Sequence, residues 1–298
     1  MTPERSAALH HLVAVDGSGH SLAAVRWFAR LAAAGGGLRC TLVNVQKPAT
    51  GAIAPADIAL EKRGRSAAEV LEQASGILRQ SGVRFDAEER LDDIAAAIVS
   101  RAQALGCDAI VVGRRGQGAL RSALLGSVSA EVIRRSSVPV IVVSAASDDS
   151  AAAAPHCLAA VDSSESARRA AAFASRLAAA AGAGELHLLH VAQPFTVAGT
   201  IFGPRERVVE RLSGRHAHEA LEGVRDVLDA ARAPFAEHVV WSDDVVGAIV
   251  TAAQDHSCGI VAMGTRGLGP LAGQLLGSVA QGVLERAERA GITVILAR

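Results

Sequence analysis

One stretch of this chain occurs twice. GRRGQGALRSALLGSVS runs from Gly113 to Ser129, and GTRGLGPLAGQLLGSVA runs from Gly264 to Ala280. The spacing is the same in both: Gly113, Gly116 and Gly126-Ser127 are matched by Gly264, Gly267 and Gly277-Ser278. Each copy follows a short apolar run, AIVV at 109–112 and GIVAM at 259–263, and each leads into a helix-like segment. A strand, a glycine turn, a loop and a helix opened by Gly-Ser is what an anion site requires. Glycine lets backbone N–H groups come close to an anion. A helix start adds unpaired donors and a partial positive charge. The hydroxyls of Ser127 and Ser278 would add donors.

The rest of the chain obeys the same duplication. Leu12–Val15 ends at Asp16-Gly17-Ser18, and 156–161 ends at Asp162, 146 residues after Asp16. Val191 follows Val45 at the same offset, whereas Asp243-Asp244 and Gly264 follow Asp92-Asp93 and Gly113 at an offset of 151. The five extra residues fall in a middle segment where surface loops change length cheaply. In the first half, aliphatic runs at 12–15, 39–45, 83–90, 109–112 and 138–144 read as strands. Periodic segments at 21–34, 61–80, 94–105 and 129–136 read as helices. Strands alternating with helices imply a parallel sheet covered on both faces. The expected architecture is therefore α/β: two tandem Rossmann-like domains, each with a five-stranded parallel sheet. Residues 1–146 form the first, 147–155 (SDDSAAAAP) a linker and 156–298 the second, in keeping with about 150 residues per domain.

Composition narrows the function. Half of the 298 residues are apolar and the formal net charge is zero, which excludes a nucleic-acid binder driven by phosphate neutralisation and a polybasic membrane anchor. No apolar run reaches the roughly 18 residues of a membrane-spanning helix. MTPERSAALHH at the start has no apolar core of a signal peptide, so a cytoplasmic location is expected. Cys40, Cys107, Cys157 and Cys258 have neither CxxC nor metal-ligand spacing and read as buried hydrophobes in a reducing compartment. The ten histidines show no HExxH pair, and His187 and His190 read as packing residues of a strand.

In a sheet of this kind ligands bind beyond the carboxyl ends of the strands. Asp16, the end of the second strand at Val45, and the glycine turn converge there. A carboxylate accepts bonds from ribose hydroxyls, backbone groups at Val45 read an adenine edge, and the glycine turn with the Gly126 helix start holds phosphates. The competing reading is that the Asp merely caps the next helix and the glycines only end strands. Arg114, Arg115 and Arg266 lie within the turn and face either phosphates or solvent.

VAVDGSGHS, LVNVQKP, CDAIVVGRRGQG and LLGSVSAEVIRRSSVPVIVV, with their second-half counterparts, resemble the universal stress protein family in its tandem form. The glycine spacing is similar to that family's ATP-binding signature. The resemblance implies a non-enzymatic, regulatory adenine-nucleotide binder in stress response, with ATP, alone or with Mg2+, as its ligand. It also implies two domains pairing within one chain through their last strands; a homodimer of chains is a further arrangement. Carried onto this sequence, Asp16 and Asp162 would touch ribose, and Val45 and Val191 adenine. Val112, Gly113, Arg115, Gly116, Gly126, Ser127, Val128 and Ser129 would line the first pocket. Met263, Gly264, Arg266, Gly267, Gly277, Ser278 and Val279 would line the second. The second half departs from the pattern at Ala280 (Ser129 in the first half), Gly259 (Asp108) and Thr293 (Pro139), which weakens the expectation for its site. Two other readings stand beside this one. An ATP-using transferase or ligase would need a phosphate-contacting lysine, and neither Lys47 nor Lys62 lies in a glycine stretch. A dimerisation module that has lost its ligand would need no site.

Overall fold

The computed structural model describes residues 8–48, 66–116, 125–148, 156–182, 185–193, 195–197, 200–202, 207–230, 233–266 and 276–298. The first half runs β1 (Leu9–Ala14), α1 (Gly19–Gly35), β2 (Leu38–Gln46), α2 (Ala67–Gln80), β3 (Phe85–Leu91), α3 (Ile94–Ala104), β4 (Ala109–Gly113), α4 (Ser127–Arg135) and β5 (Val140–Val143). The second half runs β6 (His156–Ala160), α5 (Glu165–Ala181), β7 (Leu186–Ala192), a β8–β9 hairpin (Phe195–Val197, Thr200–Phe202) and α6 (Arg207–Ala230). It continues with β10 (Phe235–Trp241), α7 (Val245–Asp255), β11 (Cys258–Gly264), α8 (Ser278–Ala290) and β12 (Thr293–Ala297). The hairpin lies in the lengthened middle segment and had no signal in the sequence. Of the expected linker, Ser147 and Asp148 are described, in a 3₁₀ turn; the rest lies outside the described residues, as does 61–65 of the expected second helix.

Local chemistry sets most of the boundaries. Ser18, Ser66, Asp93, Ser164 and Asp244 each accept a first-turn N–H with the side chain and so start α1, α2, α3, α5 and α7. Ser66 and Glu69 complete a capping box. Gly36, Gly182 and Gly291 stop α1, α5 and α8 in the left-handed conformation, φ 70°, 60° and 67°, which glycine adopts without penalty.

All ten long strands form one sheet in the order β10-β7-β6-β11-β12-β5-β4-β1-β2-β3. Within each half the strands are parallel. The halves meet at a single antiparallel pairing, Val294 with Val142, Ile295 with Ile141 and Leu296 with Val140. The expected pairing through the last strands is thus present as one continuous sheet. One hydrophobic layer, under α1, α2, α5 and α6, runs across both halves on one face. A second, under α3, α4, α7 and α8, does so on the other. Alternation along the strands feeds both: Leu12, Ile110 and Val112 enter one layer, Val13 and Val111 the other. Small residues let α1 and α5 meet across the seam, where the Gly37 N–H donates to Ala180 O at 3.1 Å. All four cysteines are buried thiols without a disulfide. Among the described residues no helix is long and apolar enough to cross a membrane.

His11 of β1 is fully buried between Phe28 of the first half and Phe173 of the second, ring centroids 5.2 and 6.1 Å away. Burial pushes its pKa down to about 4. The unfolded chain therefore takes up this proton first as pH falls below about 6.5, and stability is lost from there down to about 4. Urea unfolding at two pH values tests this: between pH 7 and pH 5 the wild-type chain should lose about 2 kcal/mol more than His11→Leu.

Candidate functional site

The carboxyl ends of the parallel strands form a crevice in each half. β1 stops at Ala14 while β2 continues to Gln46. Val43 O accepts from Val15 N at 2.9 Å. Backbone groups alternate in direction along a strand, so those of Val45 face the same side, past the end of β1. The second half repeats this, with Leu189 O accepting from Val161 N at 2.8 Å and Val191 two residues further on. A side chain holds each opening in shape. Asn44 Nδ2 donates to Val15 O at 2.7 Å, and at the matching place His190 Nδ1 donates to Val161 O at 3.0 Å.

Asp16 and Asp162 stand at the mouths of these openings. Asp16 Oδ1 accepts from the Ser18 N–H at 2.9 Å, and Asp162 Oδ1 from the Ser164 N–H at 3.0 Å and the Ser164 hydroxyl. One oxygen of each carboxylate thus shapes the turn. A methyl group on Gly116 would lie 2.5 Å from Asp16 Oδ2, so glycine there leaves the carboxylate beside the turn in place. A Cβ on Gly113 would lie 2.6 Å from the His20 carbonyl carbon, which lets the start of α1 pack against the end of β4.

The starts of α4 and α8 differ from those of the five capped helices. Their N-cap residues are Gly126 and Gly277, and neither has a side-chain cap. The glycine N–H groups fold back onto the turns, donating to Arg114 O at 2.9 Å and Thr265 O at 2.8 Å. Ala130 and Gln281 are the first to donate to a helical carbonyl. The amides of 127–129 and 278–280 therefore point out of the helix without an intrahelical acceptor.

In the second half these parts enclose a cavity of about 350 Å3. Asp162, Val191, Met263, Gly264, Arg266, Gly277, Ser278 and Val279 all line it, so the structure brings together every second-half residue singled out from the sequence except Gly267, which lies outside the described residues. Leu189, His190, Val245, Ile249 and Leu276 also line it. His190 could have been recognised from its match to Asn44 at the 146-residue offset. Val245 and Ile249 come from α7, whose distance from the motif hides them.

The universal stress protein family model matches residues 10–144 and again 154–290. The chain belongs to the universal stress protein family. A universal stress protein of Mycolicibacterium smegmatis is 33% identical over 138 residues, covering 43% of this chain and 46% of that protein, so the match spans less than half of that curated relative. A universal stress protein from Archaeoglobus fulgidus DSM 4304 shares the fold over 97% of this chain and 98% of its own, with TM-score 0.68 and 21% identity. The fold also matches a putative universal stress protein from Pseudomonas aeruginosa UCBPP-PA14 over 98% and 94% of the two chains, with TM-score 0.61 and 19% identity.

Two side chains of the first turn also bind within the fold. The Ser129 hydroxyl is buried and donates to Gly113 O at 2.7 Å, tying α4 to the end of β4. Ala280 lacks that tie. The Arg115 side chain forms a bidentate pair with Glu288 of α8, at 2.9 and 3.1 Å. Arg114, buried, donates to Leu284 O at 2.6 Å and pairs with Glu288 at 3.1 Å. The cause is a length difference: α8 has 13 residues against 9 for α4, and its added turn carries Glu288. Arg266, the counterpart of Arg115, stays on the wall of the second cavity and forms no ion pair among the described residues. Gly259, where Asp108 is matched, sits at a β-bulge between Cys258 and Ile260. Asp108 itself bonds the His10 N–H at 2.9 Å and Arg176 of the other half at 2.5 Å.

Glu288 compensates a buried cation, and removing one partner of such a pair leaves the other charge stranded. Glu288→Gln should lower unfolding stability by about 3 kcal/mol in urea melts, well beyond the cost of losing a surface pair such as Glu72–Arg79.

Proposed function

We propose that this chain is a regulatory adenine-nucleotide binder in stress response, with ATP as its ligand and the second-half cavity as its better-formed site. The observation that carries the reading is the pair of uncapped helix starts at Gly126 and Gly277. Five other helices meet their first-turn donors with a Ser or Asp side chain. These two present bare amides to a crevice instead, a recurrent arrangement for phosphate. Around the second, the parts fit the rest of the ligand. The Val191 backbone and the apolar wall of Leu189 and Ile249 suit an adenine ring, Asp162 suits ribose hydroxyls, and Arg266 adds charge beside the phosphates. Ala280 has no hydroxyl, while that of its counterpart Ser129 ties α4 to β4 in the first half.

The proposed role is binding rather than turnover. The described wall of the cavity offers one imidazole, His190, and it stands at the adenine end with Nδ1 held by Val161 O. No described lysine lines the phosphate end. Any Mg2+ would ride mainly on the phosphates, since Asp162 is the sole carboxylate among the described wall residues. Pairing of the halves inside one chain makes a homodimer unnecessary for covering the last strands, and a cytoplasmic location suits a nucleotide ligand.

Substitution at the cap glycines tests this. Both adopt φ −66° with extended ψ, which any residue tolerates, and Asp is itself a favourable N-cap. In Gly277→Asp the new carboxylate should occupy the amides and repel phosphate. Calorimetry should show ATP affinity at that site falling at least tenfold, about 1.4 kcal/mol, with the melting temperature unchanged or raised. Gly126→Asp should lower affinity likewise in the first half, at some cost in melting temperature, since its Cβ would lie 3.3 Å from Arg115 Cα. Absence of binding of ATP, ADP and AMP to the wild-type chain would reject the proposal, as would ATP binding left intact in the doubly substituted chain. The second outcome would favour a nucleotide site elsewhere, the first a ligand-free module.

A further inference from the structure

At the opposite end of the second-half strands, far along α7 from the nucleotide crevice, three histidines from three elements converge. His187 lies on β7, His238 on the edge strand β10, and His256 caps the carboxyl end of α7. One ring nitrogen from each lies within 4.8 Å of the other two. His187 Nδ1 and His238 Nε2 are 3.0 Å apart, and the His256 ring centroid lies 4.7 and 4.2 Å from those of His187 and His238. Their spacing along the chain, 51 and 18 residues, matches no short motif, so the sequence reading of His187 as packing missed the convergence.

Packing does not account for this group, because the first half performs the same packing without it. By strand register and helix ends, Thr41, Glu88 and Leu105 occupy the three matching places. There the equivalent of His156, His10, simply bonds Thr41 Oγ1 at 2.9 Å. In the second half His156 faces the cluster instead, 5.9 Å from His187 between ring centroids. The turn after His256 is also unusual: Ser257 takes φ 54°, where the matching Gly106 takes φ 60°. A non-glycine residue in that region is uncommon and is found where surroundings dictate the backbone.

We propose that His187, His238 and His256 bind a divalent d-block cation, Zn2+ fitting best. Two imidazole nitrogens on one tetrahedral Zn2+, each about 2.0–2.1 Å from the metal, lie about 3.3 Å apart. The His187–His238 separation already approaches that, and side-chain rotation closes the rest. Three imidazoles leave a fourth position for water, as in open zinc sites, or for the exposed carboxylate of Glu185, which acts electrostatically on both His187 and His238. The carboxyl end of α7 adds partial negative charge beneath His256. His187 Nδ1 and His238 Nε2 share a hydrogen bond in the structure, so the cation would take the place of the proton between them. Bound there, the ion would cross-link the edge strand β10 to β7 and to the end of α7.

Titration of the full chain, stripped with chelator, with Zn2+ alone at neutral pH should show one saturable site per chain by calorimetry. Co2+ in its place should give the visible absorption of a tetrahedral nitrogen-ligated ion. His187→Thr and His256→Leu install the first-half residues on the same scaffold and should each weaken Zn2+ binding at least tenfold. His218→Ala, an exposed histidine on α6, should leave it unchanged. Histidine-ring NMR of the wild-type chain gives a readout independent of any variant: one equivalent of Zn2+ should move the resonances of these three rings. No saturable Zn2+ binding, shifts confined to other histidines, or unchanged affinity in His187→Thr/His256→Leu would overturn the assignment.

Discussion

The antiparallel pairing of β5 with β12 is the contact on which the rest of the molecule depends. Each half alone would end in an apolar strand, VIVV or TVILA, with an unpaired row of backbone donors and acceptors. Such an edge invites association with any other edge. Joining the two edges removes the hazard and fuses both hydrophobic layers into continuous ones. It also brings α1 against α5, buries His11 between two phenylalanines from opposite halves, and carries Arg114 to the backbone of α8. The interface is isologous in plan, as in a twofold dimer, but covalent continuity keeps the partner always at hand.

A twofold plan within one chain need not stay symmetric, and here it has not. Lengthening α8 by one turn places Glu288 where it takes both Arg114 and Arg115, so the first glycine turn faces the seam. In the second half Arg266 lines the cavity and forms no ion pair among the described residues. Asn44 and His190 brace equivalent strand ends with different side chains and the same hydrogen bond. At the far end of the strands, a threonine, a glutamate and a leucine in one half are histidines in the other. Each change is local, because the shared sheet and helices hold the backbone while side chains diverge.

Much of the fold was legible because its signals are short-ranged. The repeated offsets located both halves, the alternation of aliphatic runs with periodic segments gave the element order, and Ser, Asp and Gly at the helix ends marked starts and stops. The glycine spacing also located the helix starts at Gly126 and Gly277. What escaped was long-ranged. Nothing in the sequence places Gly113 O 2.7 Å from the Ser129 hydroxyl. Nor does it pair Arg115 with Glu288, 173 residues away. The β8–β9 hairpin escaped because it falls where the two copies have no common length.

The sequence by itself determined a doubled α/β chain with a glycine-opened helix at the end of each fourth strand, since backbone freedom, capping and hydrophobic period are properties of neighbouring residues. Only the tertiary structure decided which polar groups meet. Which arginine is spent on the seam, which hydroxyl is spent on the fold, and which histidines share one space depend on elements far apart in the chain. Those are brought within hydrogen-bonding distance by sheet pairing and by the closing of two cores.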